Sequence, residues 1–406
     1  MRGPEYSRIT DLSPYTPVVP AARRASLLVL GSAAFLVSAD ARVIDPLLTI
    51  IAAEFHVPQQ RAALTVSAYA LPYGVCQLFY GPLGDRVGKL RVMAWVMALF
   101  AVGTAACAVV PNLWTFIALR LMTGVVAAAV ISLSLGYIGD TFPYESRQSA
   151  LGRFMSALML GQILSASLGG VFGEYLSWRG IFALFGLAGL VVSLLLVREM
   201  KRFPEERKAG GFSLAPFVDV WRLPFGRLIL TSVFVEGFFV FGGLAYLAAS
   251  MLQRFTFLGA SDVGLMLAGY GLGGLCYSVT VKRLVSRIGE RGTLLLGGAL
   301  LCTAYVLIGF LQTWWLFIPG MLLYGMGYFT MHGTLQTRAT ELNPRARASA
   351  ISLFAFMFFL GQGTGPIAMG QAISLVGYGP SFGMAGVGIL MLAVWVRSQL
   401  RHRTAP

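Results

Sequence analysis

Charge is what this chain has least of. Only 12% of its 406 residues are Asp, Glu, Lys or Arg, about half the share of a typical soluble domain. No polar stretch is long enough to fold alone, so a soluble basic domain is excluded. Nucleic acid is therefore not the reason for the net charge of +14. Histidine is scarce as well: His56, His332 and His402 are too scattered for a metal centre. The four cysteines (Cys76, Cys107, Cys276, Cys302) stand singly within apolar runs, with neither the spacing of a zinc site nor a pairing that suggests a disulfide. They read as small buried apolar residues. No span contains Ser-x-x-Lys, His-Glu-x-x-His or an Asp-rich phospholipid-transfer motif, which argues against a membrane enzyme. No Gly-x-x-x-x-Gly-Lys-Ser/Thr loop is present to bind ATP. Neither a metal nor a cofactor is expected.

Apolar residues make up 57% of the chain, and they come in blocks of about 20, the length of a helix across a bilayer. Twelve such blocks lie near 25–51, 62–82, 92–110, 113–138, 149–173, 179–198, 226–253, 261–281, 292–311, 314–337, 348–375 and 378–396. The pattern predicts an all-α, multi-pass integral membrane protein embedded in a lipid bilayer. Arg42 and Arg120 fall within spans, and Arg61, Arg179 and Arg254 face one side. The remaining Lys and Arg cluster in or beside the first tail, the even-numbered connections and the last tail. Basic residues flank the cytoplasmic ends of membrane helices, so both termini are expected to be cytoplasmic and the membrane to be a bacterial inner membrane. The first 24 residues, with Pro4, Pro14, Pro17 and Pro20, resemble no cleavable signal, and the apolar block after them is too long for a signal core. The tail is expected to be retained.

The longest connection, about 199–225, divides the chain into six spans and six. Self-comparison at an offset of roughly 200 finds matches in order. Trp114–Gly124 matches Trp315–Gly325, the stretch around Gly88 matches that around Gly289, and Pro143, Arg147 and Ser149–Ala150 match Pro344, Arg347 and Ser349–Ala350. Gly161–Gly170 matches Gly361–Gly370 at both end glycines and at Gln162/Gln362. The expected organisation is a tail (1–24), a six-helix bundle (25–198), a linker (199–225), a second six-helix bundle (226–397) and a tail (398–406). Duplicated six-span units are an architecture of secondary transporters, with the site between the halves.

Gly81-Pro-Leu-Gly-Asp85-Arg86-Val-Gly88-Lys89 resembles the loop 2–3 signature of the major facilitator superfamily. Arg120-x-x-x-Gly124 resembles that family's span-4 arginine motif, and Ser177-Trp178-Arg179-Gly180-Ile-Phe182 its span-6 entry. The resemblance spans nearly the whole chain and implies twelve helices in two pseudo-symmetric bundles, with spans 1, 4, 7 and 10 lining a cavity. In the family's antiporter branch span 5 carries Gly-x-x-x-Gly-Pro-x-x-Gly-Gly. Here Gly161, Gly169 and Gly170 remain, Ser165-Ala166 replaces the central pair, and the pair recurs in span 11 as Gly365-Pro366. The resemblance also implies that Asp85 meets the positive N-terminal end of span 11 near Ala348–Ser352 and closes a cytoplasmic gate with Gly81, Arg86, Gly88 and Lys89. As a turn between spans, the same stretch would fix topology through its basic residues and allow close helix approach through its glycines.

Charges inside spans are costly and by default mark functional sites. Five occur: Asp40, Arg42 and Asp45 in span 1, Arg120 in span 4 and Glu236 in span 7. At the helical rise, Asp40 lies roughly 17 Å and Asp45 roughly 9 Å from the outer end of span 1, with Arg120 roughly 10 Å down span 4. Arg42 and Asp45 share a helix face and can pair, leaving Asp40 to Arg120, while Glu236 has no cationic Lys or Arg in the spans of its own half. Three acids against two bases leave one carboxyl able to hold a proton out of water, which is what proton coupling requires. Fixed ion pairs holding spans 1 and 4 together are the alternative. Tyr324, Tyr328, His332 and Gln336 recur every four residues of span 10 and read as one cavity-facing stripe, with interfacial or inter-helix packing a reasonable reading for Tyr324. Tyr69, Tyr73, Gln77 and Tyr246 read as packing. The expected activity is alternating-access transport of a small organic molecule, coupled to protons and outward, by a monomer. Import of a metabolite, and a non-transporting sensor of the same fold, are the alternatives.

Overall fold

The computed structural model describes residues 25–203, 215–342 and 347–401. The first tail, the middle of the linker and the residues after 401 lie outside them. All regular structure among the described residues is helical, as hydrocarbon demands: with no water to bond, backbone N–H and C=O groups must satisfy each other within a segment. Span 1 is Leu27–Arg42, continued after a turn by Leu48–Glu54. Span 2 is Gln59–Ala62 with Leu64–Val87, span 3 Lys89–Cys107, span 4 Leu113–Thr141, span 5 Tyr144–Val171 and span 6 Trp178–Arg202. After a short helix, Ala215–Arg222, come span 7 (Pro224–Arg254), spans 8 and 9 (Ala260–Leu267 and Gly269–Phe310), span 10 (Phe317–Glu341), span 11 (Arg347–Val376) and span 12 (Tyr378–Arg401).

Among the described residues ten helical stretches are long and apolar enough to cross a membrane, and two features turn ten into twelve. The stretch Ala260–Phe310 holds two spans, because its backbone leaves helical geometry at Gly289, φ 65° and ψ 175°. Span 10 is the helix that carries His332, Gln336 and Arg338, and it falls outside the ten for that polarity.

The Gly81–Arg91 stretch is not the loop expected of it. Span 2 stays helical through Val87 and span 3 starts at Lys89, so the connection is Gly88 alone, φ 106° and ψ 129°. Its repeat mate is Gly289. Both backbones occupy regions that L-residues with a Cβ avoid, so the chain reverses at the same place in each half. The repeat also governs packing. Gly124 of span 4 lies against the Tyr69 carbonyl of span 2, and Gly325 of span 10 against the Tyr270 carbonyl of span 8. A Cβ at either would overlap main chain; small residues let membrane helices approach this closely.

The halves meet along two seams, span 2 with span 11 and span 5 with span 8. Both are tight at the end opposite the basic residues. There Gly170 abuts Ala260, and Glu174 Oε2 accepts bonds from Ser261 N (2.8 Å) and Ser261 Oγ (2.7 Å) at the start of span 8. Tyr378 donates to Gln59 Oε1 at 2.5 Å. Along span 2 the Gly74 face meets Phe359, yet at Gly81, two turns on and on the same face, nothing lies within 4 Å. The bundles thus part toward the basic end. Glu174 is a carboxylate of one half accepting a first-turn N–H and a hydroxyl of a helix in the other, a favourable place for negative charge. Replacing Glu174 with Ala should raise the population open at this end roughly fivefold, the scale of one exposed charge-assisted bond. Spin labels at Tyr175 and Phe257, both exposed, should then report a longer-distance component in pulsed dipolar spectroscopy.

Candidate functional site

Span 1 breaks in mid-membrane at its charged residues. Pro46 has no N–H to give the Arg42 carbonyl and its ring crowds that group, so the first helix ends at Arg42 and a tight turn over Asp45–Leu47 starts the second. The carbonyl of Asp40 lies in that last turn, where intrahelical donors run out. Arg120 uses it. Its Nη2 donates to Asp40 O at 3.1 Å and its Nη1 to Asp40 Oδ2 at 2.5 Å, and both residues are fully buried. The guanidinium lies 4.3 Å from the Tyr69 ring centroid, while Tyr69 Oη donates to Val37 O at 3.2 Å. Tyr69 is therefore part of the pair's housing as well as packing. Asp40 Oδ1 and Arg120 Nε have no hydrogen-bond partner among the described residues.

Arg42 and Asp45 are closer to an acquaintance than a bond, at 3.8 Å, beyond hydrogen-bond range. Arg42 instead reaches across to the other half and lies 4.0 Å from the Phe241 ring centroid in span 7, a cation–π contact. It borders a central cavity of about 70 Å³ together with Tyr73, Gln162, Tyr328, Phe358 and Gln362. It also borders a smaller neighbouring cavity of about 20 Å³ with Asp45, Gln162 and Tyr270. Gln162 and Gln362 were visible in the sequence only as a matching pair in the repeat. Two amides at equivalent places in spans 5 and 11 become facing walls when the halves fold together, and repeat symmetry was the signal.

The acid expected to lack a cation in its own half has a partner. Glu236 Oε2 lies 2.9 Å from His332 Nδ1. Glu236 is fully buried and its Oε1 has no partner among the described residues, while the His332 side chain is 16% exposed. The imidazole stacks on Tyr328, centroids 5.1 Å apart, and lies 4.7 Å from Phe358. The span-10 stripe does not act as one unit. Tyr324 is buried and donates to Val240 O beside Tyr305, Tyr328 and His332 approach the centre, and Gln336 is exposed toward the basic end. The four residues keep one face, but that face passes from packed core to cavity to solvent.

At the basic end Asp85 pairs with Lys89 at 2.5 Å, and Lys89 with Asp140 at 2.9 Å. Among the described residues Asp85 has no hydrogen bond or ion pair to span 11, and at Gly81, one turn earlier, the seam has already parted. Residues 343–346, just before span 11, lie outside the described set. Arg86 is exposed. The span-5 glycines are contact points: Gly161 against Phe35 and Ser38, Gly169 against Val43, Gly170 against Ala260. Gly365 faces Gly242, and the Pro366 carbonyl accepts Tyr246 Oη at 3.0 Å. The Ser177–Phe182 stretch fastens span 6 to span 1, since Trp178 Nε1 and Arg179 both donate to Glu54. Among the described residues no cluster of His, Cys, Asp and Glu could hold a metal ion.

Comparison with known proteins is consistent with this arrangement. The family model described as Major Facilitator Superfamily matches residues 30–366 and 258–406. The uncharacterized MFS-type transporter YwfA of Bacillus subtilis (strain 168) is 26% identical, over 91% of this chain and 89% of its own. A probable sugar efflux transporter of Helicobacter pylori (strain G27) is 25% identical over 91% and 94%. Among solved structures, a bacterial homolog of the human lysosomal transporter Spinster, inward-facing and unoccupied, superposes with a TM-score of 0.74 at 19% identity, over 94% of this chain and 98% of that one. A POT family transporter in complex with 5-aminolevulinic acid gives 0.75 at 12% identity, over 95% and 99%.

The Asp40–Arg120 pair should behave as a unit in stability. Asp40→Ala strands a buried guanidinium and should cost about 3–5 kcal/mol, whereas Asp40→Ala with Arg120→Leu should recover much of the loss. Thermal unfolding of the two variants in one detergent checks the non-additivity.

Proposed function

The chain belongs to the Major Facilitator Superfamily, and from that premise we propose that it is a proton-coupled exporter of a small polar organic molecule, working by alternating access. It is a membrane transporter and not an enzyme; coupling, direction and substrate are what the proposal adds. The observation that carries it is the Glu236–His332 pair: a fully buried carboxylate with one oxygen unpartnered, held by an imidazole that reaches a partly exposed position. A carboxyl and an imidazole in contact, one sealed and one reachable, make a pathway along which a proton can pass. Asp40 is a poorer carrier, because Arg120 engages both its carboxylate and its carbonyl. The pair of spans 1 and 4 then serves as a fixed strut, and the proton is handled by spans 7 and 10.

Arg42, Gln162, Gln362, Tyr73 and Tyr328 offer the substrate donors and acceptors beside aromatic faces, a lining suited to a hydroxyl- or amide-rich solute. Several relatives are described as probable sugar efflux transporters, which favours the outward direction. In this reading the parted end of the bundles and both termini face the cytoplasm, an orientation that the distribution of basic residues supports. Asp85 lies on the same face of span 2 as Gly74 and Gly81, so closing that end would carry it from Lys89 to the N-terminal end of span 11. Gly81, Arg86, Gly88 and Lys89 shape that gate, and Gly161, Gly169, Gly170, Gly365 and Pro366 set the close helix contacts about which the bundles rock.

Glu236→Gln should abolish substrate-driven proton flux in proteoliposomes, by at least tenfold, while substrate exchange between two filled compartments persists. His332→Gln should slow the flux in the same direction. A pH-sensitive dye inside the vesicles reads the flux, and labelled solute reads the exchange. Proton flux undiminished in Glu236→Gln would overturn the reading.

A further inference from the structure

A large recess, separate from the central path, lies on the outside of the first bundle. Spans 5 and 6 follow one another in the chain, yet both pack on span 1 and diverge from each other. The result is a groove of about 910 Å³ with span 1 as its floor, Gly31, Phe35 and Leu36, and with Leu160 of span 5 and Leu187 and Val191 of span 6 among its walls. Leu160 is 51% and Leu187 63% exposed, so the groove opens to the surrounding bilayer. It does not connect with the transport path. Gly31 abuts Ala157, Gly161 abuts Phe35, and Ser38 Oγ donates to Leu158 O at 3.1 Å, closing the contact between spans 1 and 5.

The lining is apolar except for Ser32 and Arg153. Arg153 stands at the basic end of the groove, and Arg198 lies one turn beyond Leu195 on the same face of span 6. Both are exposed, and neither has a hydrogen bond or ion pair among the described residues. The acid nearest in sequence, Glu199, is turned inward and accepts from Ser26 N at 2.9 Å. The mouth of the groove is therefore cationic and the rest of it, Ser32 aside, hydrocarbon. A guanidinium binds a phosphate oxygen pair in fork geometry, and basic pockets between membrane helices at this end take anionic lipid headgroups.

We propose that the groove between spans 1, 5 and 6 is a specific seat for an anionic phospholipid of the leaflet at the basic end, its phosphate on Arg153 and Arg198 and an acyl chain along Leu187 and Leu160. The site is separate from substrate and proton handling, so it stands whether or not the transport reading does. Its charge selects phosphatidylglycerol over phosphatidylcholine, and its depth selects a lipid over a free anion.

The test uses the full chain in nanodiscs of equal phosphatidylglycerol and phosphatidylcholine, ejected for native mass spectrometry. The wild type should retain phosphatidylglycerol over phosphatidylcholine on the order of tenfold, the scale expected of two arginines beside an anionic headgroup. Arg153→Gln with Arg198→Gln should bring the ratio to about one, while Arg153→Lys keeps part of the preference. Leu187→Trp, which narrows the groove from an exposed wall position without altering charge, should lower retention of both lipids; a matching thermal midpoint in detergent establishes that each variant is folded. Equal retention of the two lipids by the wild type, or an unchanged ratio in the double variant, overturns the proposal. So does displacement of the retained lipid by millimolar inorganic phosphate, which would make the arginines a simple anion site.

Discussion

Arg120 takes a guanidinium into hydrocarbon, and that is tolerable only where something offers it both charge and hydrogen bonds. Span 1 does so because it is broken. Pro46 ends the first helix at Arg42, which leaves the Asp40 carbonyl in an under-bonded last turn beside the Asp40 carboxylate. One arginine then binds a side chain and a backbone group of the same residue. The broken helix also turns Arg42 toward Phe241 in the other half, so the same proline sets the strut inside one bundle and the charged wall between the two.

Scaffold and chemistry follow different rules in this molecule. Gly88 and Gly289 reverse the chain alike, Gly124 and Gly325 seat on equivalent carbonyls, and Gln162 and Gln362 face one cavity. The charges have no such mates: one half holds Asp40, Arg42, Asp45 and Arg120, the other holds Glu236 with His332. Packing by small residues is a backbone property that survives duplication, whereas a charge in the membrane needs a specific partner. The duplicated parts give two bundles of similar shape, and the unmatched parts give the central cavity its two chemically distinct sides.

Much of this was legible in the chain. Twelve apolar blocks, the repeat and the five charges within spans follow from residue type and spacing, since hydrocarbon leaves few choices for backbone and fewer for charge. The Asp40–Arg120 match followed from depth. Partnerships between distant spans were not legible: Glu236 and His332 are 96 residues apart, and the span-10 stripe turned His332 toward the cavity without saying which residue of another span it meets. The break in span 1 had a visible cause in Pro46, but a proline within a membrane helix is often accommodated by its neighbours. The helical run through Gly81–Val87 was hidden because glycine and charge usually signal a turn. In this stretch they mark a helix leaving the membrane with a single-residue reversal at its end.

That reversal has a mechanical meaning. One residue gives spans 2 and 3 no slack, so a tilt of span 2 at the seam must be carried into span 3. Span 3 packs on span 6 and turns Trp95, Leu99 and Val102 outward, each at least 60% exposed, into the acyl chains. A bilayer thicker or thinner than the apolar length of span 3 pulls on its tilt. Through Gly88 that pull reaches the helix whose face meets span 11, so membrane thickness loads one wall of the seam between the halves.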